Sequence, residues 1–336
     1  MASTQRPAPS PVSVSVVIPV YRGAATLPPL IAELEGLRSA QVTPAGREFV
    51  IHEVLLVWDH GPDDSDRVIR ALAAEKPWVR PVWLSRNFGQ HAATIAGMGA
   101  SGGDWIVTMD EDGQHDPAAI ALLIDAAYAE RANLVYAAPG NSPPHGALRN
   151  AASWIAKRLV LPLLTSRDTP AFHSYRLIAG DVGRAVSAYA GPNVYLDIAL
   201  GWVTTDVATI SVNMRSEGRE AANYRLRSLV SHFWRLVLSS GNRPLRLVSA
   251  FGSLCAVGGL LFAAWLVVAR ITGAPDVAGW TSVIVCVLVI GGVTLGSLGI
   301  IAEYLGLAAS MSMGRPNYVT LEDPAKRFGQ RAAAED

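Results

Sequence analysis

The chain has 336 residues, half of them hydrophobic, and 28 lysine plus arginine balance 28 aspartate plus glutamate. At roughly 100–200 residues per domain, this length suggests one large domain plus a further part, and the zero net charge gives no support for a nucleic-acid partner. The two cysteines, Cys255 and Cys286, lie in apolar stretches without metal-ligand spacing. They argue against a disulfide framework and read as reduced, buried thiols.

The opening MASTQRPAPSP has no apolar signal-peptide core. It reads as a disordered leader over residues 1–12, so that what folds after it is expected in the cytoplasm. Residues 13–20 form a β-branched run and are predicted as a strand. Thr26 is placed to cap the helix that follows, with Pro28 and Pro29 in its first turn. Residues 50–57 read as a second strand ending at Trp58-Asp59, followed by a helix over 67–75. A short strand over 81–84 precedes a helix over 91–100. A strand over 104–109, a helix over 117–132 and a strand over 133–137 complete the alternation. Such alternation predicts an α/β fold with a mostly parallel sheet covered on both faces.

Ligands of such sheets bind beyond the carboxyl ends of the strands. Pro19-Val20-Tyr21, Trp58-Asp59, Ser85-Arg86-Asn87 and Asp110-Glu111-Asp112 all fall at strand ends and can line one crevice. Neither a Rossmann nor a P-loop glycine motif is present. Asp110 and Asp112 are two apart, so on an extended backbone their side chains share a face. Carboxylate oxygens suit hard divalent ions such as magnesium or manganese, which also bind phosphates. Taken alone, the pair reads equally well as a solvated acidic turn. Arg86 and Asn87 could meet a diphosphate and Asp59 a base or ribose, although a surface salt bridge is the plainer reading of Arg86 alone. His91 and His115 lack ligand spacing and read as polar loop or helix residues.

Two uncharged apolar runs follow, over 247–269 and 279–302, each long enough to cross a bilayer. The nine residues between them form a short turn. Arg243 and Arg246 precede the first run, and Arg315, Lys326, Arg327 and Arg331 follow the second, which puts both ends in the cytoplasm. Upstream, Leu226, Leu229, Val230, Phe233 and Val237 recur at helical spacing beside Arg225, Arg227 and Arg235. This fits an amphipathic helix on the membrane surface, the alternative being an ordinary core-facing helix.

At this point seven segments in order resemble glycosyltransferase family 2, and within it the polyprenyl-phosphate glycosyltransferases with a C-terminal membrane hairpin. They are SVVIPVYRG, VWDHGPDDSD, LSRNFGQHAATIAGM, MDEDGQHDP, HSYRLI, RSEGREAANYRLRSL and EYLGLAASMSMGRPNYV, and the resemblance covers roughly residues 13–322. The resemblance implies a GT-A type nucleotide-binding domain over 13–222, a juxtamembrane helix over 223–246, a transmembrane hairpin over 247–305 and a cytoplasmic tail over 306–336. It implies that Pro19 and Tyr21 border the base, that Asp59 binds the nucleoside, and that Arg86 lies near the donor diphosphate. Asp110, Asp112 and Gln114 would hold Mg2+ or Mn2+ and the donor phosphates. Arg176 would sit at the mouth of the site, beside a phosphate of acceptor or donor, and Arg215 and Tyr224 would lie toward the membrane. Asp110, Asp112 and Arg176 are thus the residues expected to carry the reaction.

The implied activity is metal-dependent, inverting transfer of one sugar from a nucleotide-sugar donor, a UDP-sugar by preference, to polyprenyl phosphate at the cytoplasmic membrane. The expected partners are donor, lipid acceptor and bilayer, with no nucleic acid; a homo-oligomer stays open. Two departures from the family pattern stand out: His60-Gly61 in place of Gly-Ser, and few arginines over 139–150, where Arg149 is the nearest candidate. A processive synthase is the nearest rival enzyme, but the QxxRW element of such synthases is absent. A non-catalytic membrane scaffold with the same fold is the rival of a different class, against which retention of Asp110, Asp112, Gln114 and Arg86 argues.

Overall fold

A computed structural model describes residues 11–140, 172–192, 194–215 and 279–326, with scattered positions between 248 and 272. The chain divides into two compact units. One comprises residues 1–146, 168–225 and 316–336, the other residues 147–167 and 226–315.

In the first unit β1 (Val12–Val20) leads to α1 (Leu27–Glu35), the short β2 (Gln41–Val42) and β3 (Glu48–Trp58). Then come α2 (Ser65–Glu75), β4 (Val79–Leu84), α3 (Gln90–Ala100) and β5 (Trp105–Thr108). A 3₁₀ turn (Pro117–Ala119) opens α4 (Ile120–Glu130), which is followed by β6 (Leu134–Pro139). β7 (Arg176–Ala179), α5 (Gly180–Tyr189), α6 (Leu196–Val203) and β8 (Val207–Val212) follow. The second unit contributes α7 (Trp280–Ser312), after which β9 (Thr320–Leu321) rejoins the first.

The strands form one sheet in the order β8-β6-β7-β5-β1-β3-β4-β9, with β2 beside β3. β1 pairs in parallel with β3 and β5, β3 with β4, and β6 with β8. β2, β7 and β9 run the other way. The expected mostly parallel sheet is therefore present. Its antiparallel member β7 wedges between β5 and β6, a pairing that local sequence pattern does not announce. Side chains alternate between two cores. Val14, Val16, Ile18 and Val20 of β1 pack with α1, α2 and α4 residues such as Ile31, Ile69 and Leu123. On the opposite face, Val17 and Leu55 pack with Ala93 and Ile95 of α3, Val186 of α5 and Leu200 of α6. Apolar strands covered on both faces are what a parallel sheet requires.

The expected cap on α1 differs in detail. Thr26 occupies the cap position in helical conformation, and its hydroxyl donates to the Gly23 carbonyl at 3.5 Å instead of accepting from the helix. Asp116, in contrast, does cap: its carboxylate accepts from Ala118 N–H at 3.0 Å.

In the second unit the 24 residues Val289–Ser312 of α7 form a helix long and apolar enough to cross a membrane. α7 continues past residue 302, where the apolar run was expected to stop, because Glu303 is a good helix former and no Gly–Pro break follows it. The expected first span over 247–269, the leader, the juxtamembrane helix and Tyr224 lie wholly or largely outside the described residues. Cys255 and Cys286 are free, as expected, but exposed on helical surface rather than buried. Their neighbourhood in the sequence is apolar.

At the amino-terminal end of the sheet, Glu53 is only 3% exposed. It accepts from Ser15 Oγ and Gly102 N–H, each at 2.7 Å, and pairs with Arg80. Burial pushes its carboxyl up, but the Arg80, Gly102 and Ser15 hydrogen bonds prevail and hold the pKa below the ordinary value of 4.5. A carboxylate whose pKa folding depresses stabilises the fold above its unfolded pKa and loses that contribution as pH falls through the folded one. Glu53→Gln is expected to lower stability at pH 7 by about 1–3 kcal/mol. The difference from wild type should shrink as denaturant unfolding is repeated below pH 4.5; a pH-independent difference would contradict the assignment.

Candidate active site

β5, β1, β3 and β4 are neighbours and parallel, so their carboxyl-end loops meet along one edge of the sheet. This places Tyr21, Asp59, Arg86 and the acidic turn at residues 110–112 on the same side.

β5 ends at Thr108, and residues 111–112 already form a turn. The alternation expected to aim Asp110 and Asp112 alike thus does not apply, because the backbone leaves extended geometry first. The three acids take different partners. Asp110 accepts from Gln90 Nε2 on one oxygen and from Ser174 Oγ on the other, both at 2.6 Å. Glu111 reaches back to β1 and accepts from the Tyr21 and Arg22 N–H groups at 2.9 and 2.8 Å. Asp112 accepts from Gln114 N–H at 3.0 Å, closing a local turn around Gly113, whose φ is +77°.

His115 explains how that turn is held. It is buried, stacks on Tyr175 at 4.7 Å, and its Nδ1 accepts the Asp110 N–H at 3.0 Å. Burial keeps its pKa below the ordinary range against the pull of Asp110 and Asp112, so the ring is neutral and Nδ1 can accept. The Gln114 carbonyl accepts from Arg215 N–H, and the Arg215 guanidinium bridges Glu33 and Asp116. Arg215 thus braces the acidic turn.

The β1 and β3 loops touch through their backbones. A Cβ on Gly61 would lie 1.7 Å from the Tyr21 carbonyl oxygen, so only glycine fits there. That accounts for the His60-Gly61 departure: with the glycine committed to the contact, His60 takes the left-handed conformation at φ +52°. Such a residue costs on the order of 1 kcal/mol, offset in part by its ring packing 4.1 Å from Trp58. Tyr21 is 42% exposed at the mouth of the crevice, next to Pro19 of β1. Asp59 is buried, and its two oxygens accept from Phe88 and Gly89 N–H at 2.7 and 2.8 Å. Burial lifts its pKa, although those hydrogen bonds and the nearby Arg86 pull the other way. Its visible work is to fix the β4–α3 loop. Arg86, on that loop, is exposed, lies over the Phe88 ring at 4.2 Å, and has no acidic partner within salt-bridge distance among the described residues.

Arg176 lies deeper than the mouth implied for it. It is 4% exposed, at the start of β7, and forms an ion pair with buried Asp197 of α6, which also accepts from Tyr136 Oη at 2.8 Å. Burial pulls the Arg176 pKa down, but the Asp197 charge, helped by Tyr136 and Asp110, holds it above the ordinary value. Its Nε donates to the Ser174 carbonyl at 3.4 Å, and the Thr108 hydroxyl donates to the same oxygen at 2.7 Å. Arg176 therefore supports the residue whose hydroxyl holds Asp110. Sequence reading did not single out Gln90, Ser174, Asp197 or Tyr136. Gln90 and Ser174 stand inside two of the motifs quoted above, and the charge of Asp197 within apolar YLDIAL was the available signal for a buried ion pair.

Among the described residues no three His, Cys, Asp or Glu side chains gather as a metal-binding group. Magnesium and similar ions are commonly held by one or two carboxylates together with substrate phosphates, not by an all-protein cage. Asp110 and Asp112, with Gln114 beside them, fit such a shared donor set.

An α/β sheet with acidic and basic groups at adjoining carboxyl ends presents them where ligands of such sheets bind, and comparison with known proteins makes this one a glycosyltransferase. Residues 15–180 match the family described as glycosyl transferase family 2. The undecaprenyl-phosphate 4-deoxy-4-formamido-L-arabinose transferase of Pseudomonas aeruginosa strain LESB58 is 33% identical over 91% of this chain and 88% of its own. The bactoprenol glucosyl transferase of Shigella phage SfX is 28% identical over 91% of this chain and 98% of its own. A solved glucosyl-3-phosphoglycerate synthase from Mycobacterium tuberculosis is 18% identical, covers 69% of this chain and 80% of that one, and has a TM-score of 0.48. The chain belongs to glycosyltransferase family 2, and its first unit has the GT-A-like α/β fold.

The buried pair supports a direct test. Removing one member leaves an uncompensated charge, at a cost of about 3–5 kcal/mol. Asp197→Ala is expected to lower the unfolding free energy by that amount and Asp197→Asn by less, as read by denaturant titration of the full chain in detergent. Unchanged unfolding in both would mean that Arg176 is not held as described.

Proposed function

We propose that the protein transfers a single sugar from a nucleotide-sugar donor, a UDP-sugar by preference, to a polyprenyl phosphate at the cytoplasmic face of the membrane, inverting the anomeric carbon. The observation that carries the donor half is the Gln90–Asp110 hydrogen bond of 2.6 Å. It ties the loop bearing the exposed Arg86 to the acidic turn, so that a cation-binding and an anion-binding surface share one rim. The acceptor half is supported by the names of the two curated relatives, each matched along nearly its whole length.

In this reading Pro19 and Tyr21 border the base, and Asp59 acts by holding the Phe88–Gly89 backbone beside the nucleoside. Arg86 meets the diphosphate. Asp110, Asp112 and Gln114 hold a magnesium or manganese ion together with the donor phosphates. Such an ion, when bound, supplies charge compensation for the departing nucleoside diphosphate. Arg176, locked by Asp197, orients Ser174 and through it Asp110, and adds a fixed positive charge behind the site. No general base is assigned. The second pKa of a phosphate monoester is about 6, so the acceptor is largely dianionic at neutral pH and needs positioning more than deprotonation. The apolar runs over 247–269 and 279–302 act as a hairpin with both ends cytoplasmic, keeping the domain near the lipid headgroups where that phosphate lies.

The test is a screen of nucleotide sugars against undecaprenyl phosphate with the full chain in membranes, lipid products being identified by mass. One donor is expected to give a singly glycosylated lipid phosphate. EDTA should abolish the product, and Asp112→Ala should cut the rate by about 10²–10³. No product from any donor, or a product indifferent to both changes, would contradict the reading.

A further inference from the structure

The family pattern specifies the first and third acids and the glutamine of the segment MDEDGQHDP and leaves the middle acid open. We propose that this middle residue, Glu111, is a positioning residue for donor binding that couples the metal-binding turn to the loop bordering the base. The inference rests on the nucleotide-donor reading above.

Glu111 takes partners different from those of Asp110 and Asp112. Its two oxygens accept separately from two consecutive backbone N–H groups, those of Tyr21 and Arg22. The next two N–H groups of the same loop are also taken: Gly23 donates to Ser65 Oγ at 2.9 Å and Ala24 to Asp63 Oδ2 at 3.1 Å. Four successive amides that could otherwise cradle an anion are thus satisfied by the protein itself. They are removed from the set of groups open to the donor diphosphate. The fit around the carboxylate is close. A Cβ on Gly23 would lie 2.7 Å from Glu111 Oε2, and the Tyr21 carbonyl already abuts Gly61. The Tyr21 backbone is therefore gripped by its N–H from the β5 turn and crowded at its carbonyl by the β3 loop. A carboxylate that accepts from two amides makes charge-assisted hydrogen bonds, the stronger kind. Because the residues on either side of Glu111 are the acids of the metal turn, any shift of that turn moves Tyr21, and any shift of Tyr21 moves the turn.

Glutamine in this place keeps the shape but turns one acceptor into a donor facing an N–H group. The loop is solvent-exposed, so water can satisfy the released amides and the fold should survive. The experiment compares wild type with Glu111→Gln and Glu111→Ala as full chains in nanodiscs. The probes are UDP and GDP, titrated calorimetrically in the presence of MnCl2, with amide hydrogen exchange at residues 21–22 and the thermal midpoint read in parallel. Whichever nucleotide wild type binds is expected to bind at least ~10-fold more weakly to both variants, with faster exchange at residues 21–22 and a nearly unchanged midpoint. Unaltered nucleotide affinity despite faster exchange would overturn the positioning role, and so would slow exchange in both variants. A midpoint collapse accompanying the lost affinity would reduce Glu111 to a stability residue and also overturn it. Wild type that binds neither nucleotide would show instead that the donor reading had failed, and with it the function assigned here to the clamp.

Discussion

At the rim of the sheet, carboxylates are bound to backbone and side-chain donors of neighbouring loops, and the geometry of the whole site depends on those bonds. Asp110 is held from α3 by Gln90 and from the segment before β7 by Ser174. Asp59 holds the loop that carries Arg86, and Glu111 holds the loop that carries Tyr21. Parallel strands make this possible, because they deliver the loops of β5, β1, β3 and β4 to one edge. The acids then knit those loops together. A cluster that would repel itself in isolation is stable here because each carboxylate faces different donors.

Behind that rim lies a more buried layer. Tyr136, Asp197 and Arg176 form a hydrogen-bonded ionic group in the core beneath α6, linked through the Ser174 carbonyl to the residue that holds Asp110. A buried guanidinium is tolerable only with its counterion in place, so the position of Arg176 is set by α6 and not by solvent. This divides the labour between charges that are satisfied within the protein and the exposed Arg86 at the rim, which has no acidic partner among the described residues.

Much of this was legible in sequence and some was not, for identifiable reasons. The β-branched run of β1 and the apolar end of β3 announce strands because buried parallel strands need such residues on both faces. The strand-end placement of Asp59, Arg86 and Asp110 follows from the alternation alone. Hydrogen-bond partners distant in the chain are another matter. Nothing local to Glu111 says that it faces β1 rather than a metal, and nothing local to Asp197 names Arg176. The insertion of β7 between β5 and β6 depends on long-range pairing. The alternation expected to align Asp110 and Asp112 does not apply, because β5 ends at Thr108 and a turn begins at Glu111. His60-Gly61 looked like a shifted glycine until the backbone contact at Tyr21 showed which of the two positions cannot carry a side chain.

The central claim is that Asp110 and Asp112 share a divalent ion with a donor diphosphate that also faces Arg86. The most direct measurement is anomalous diffraction at the manganese edge from crystals of the full chain grown with UDP and MnCl2. The expected result is a single peak bridging these carboxylates and the diphosphate, with the Arg86 guanidinium on the phosphate oxygens. A nucleotide bound in the crevice with no ion beside residues 110 and 112, or an ion coordinated elsewhere, would contradict it.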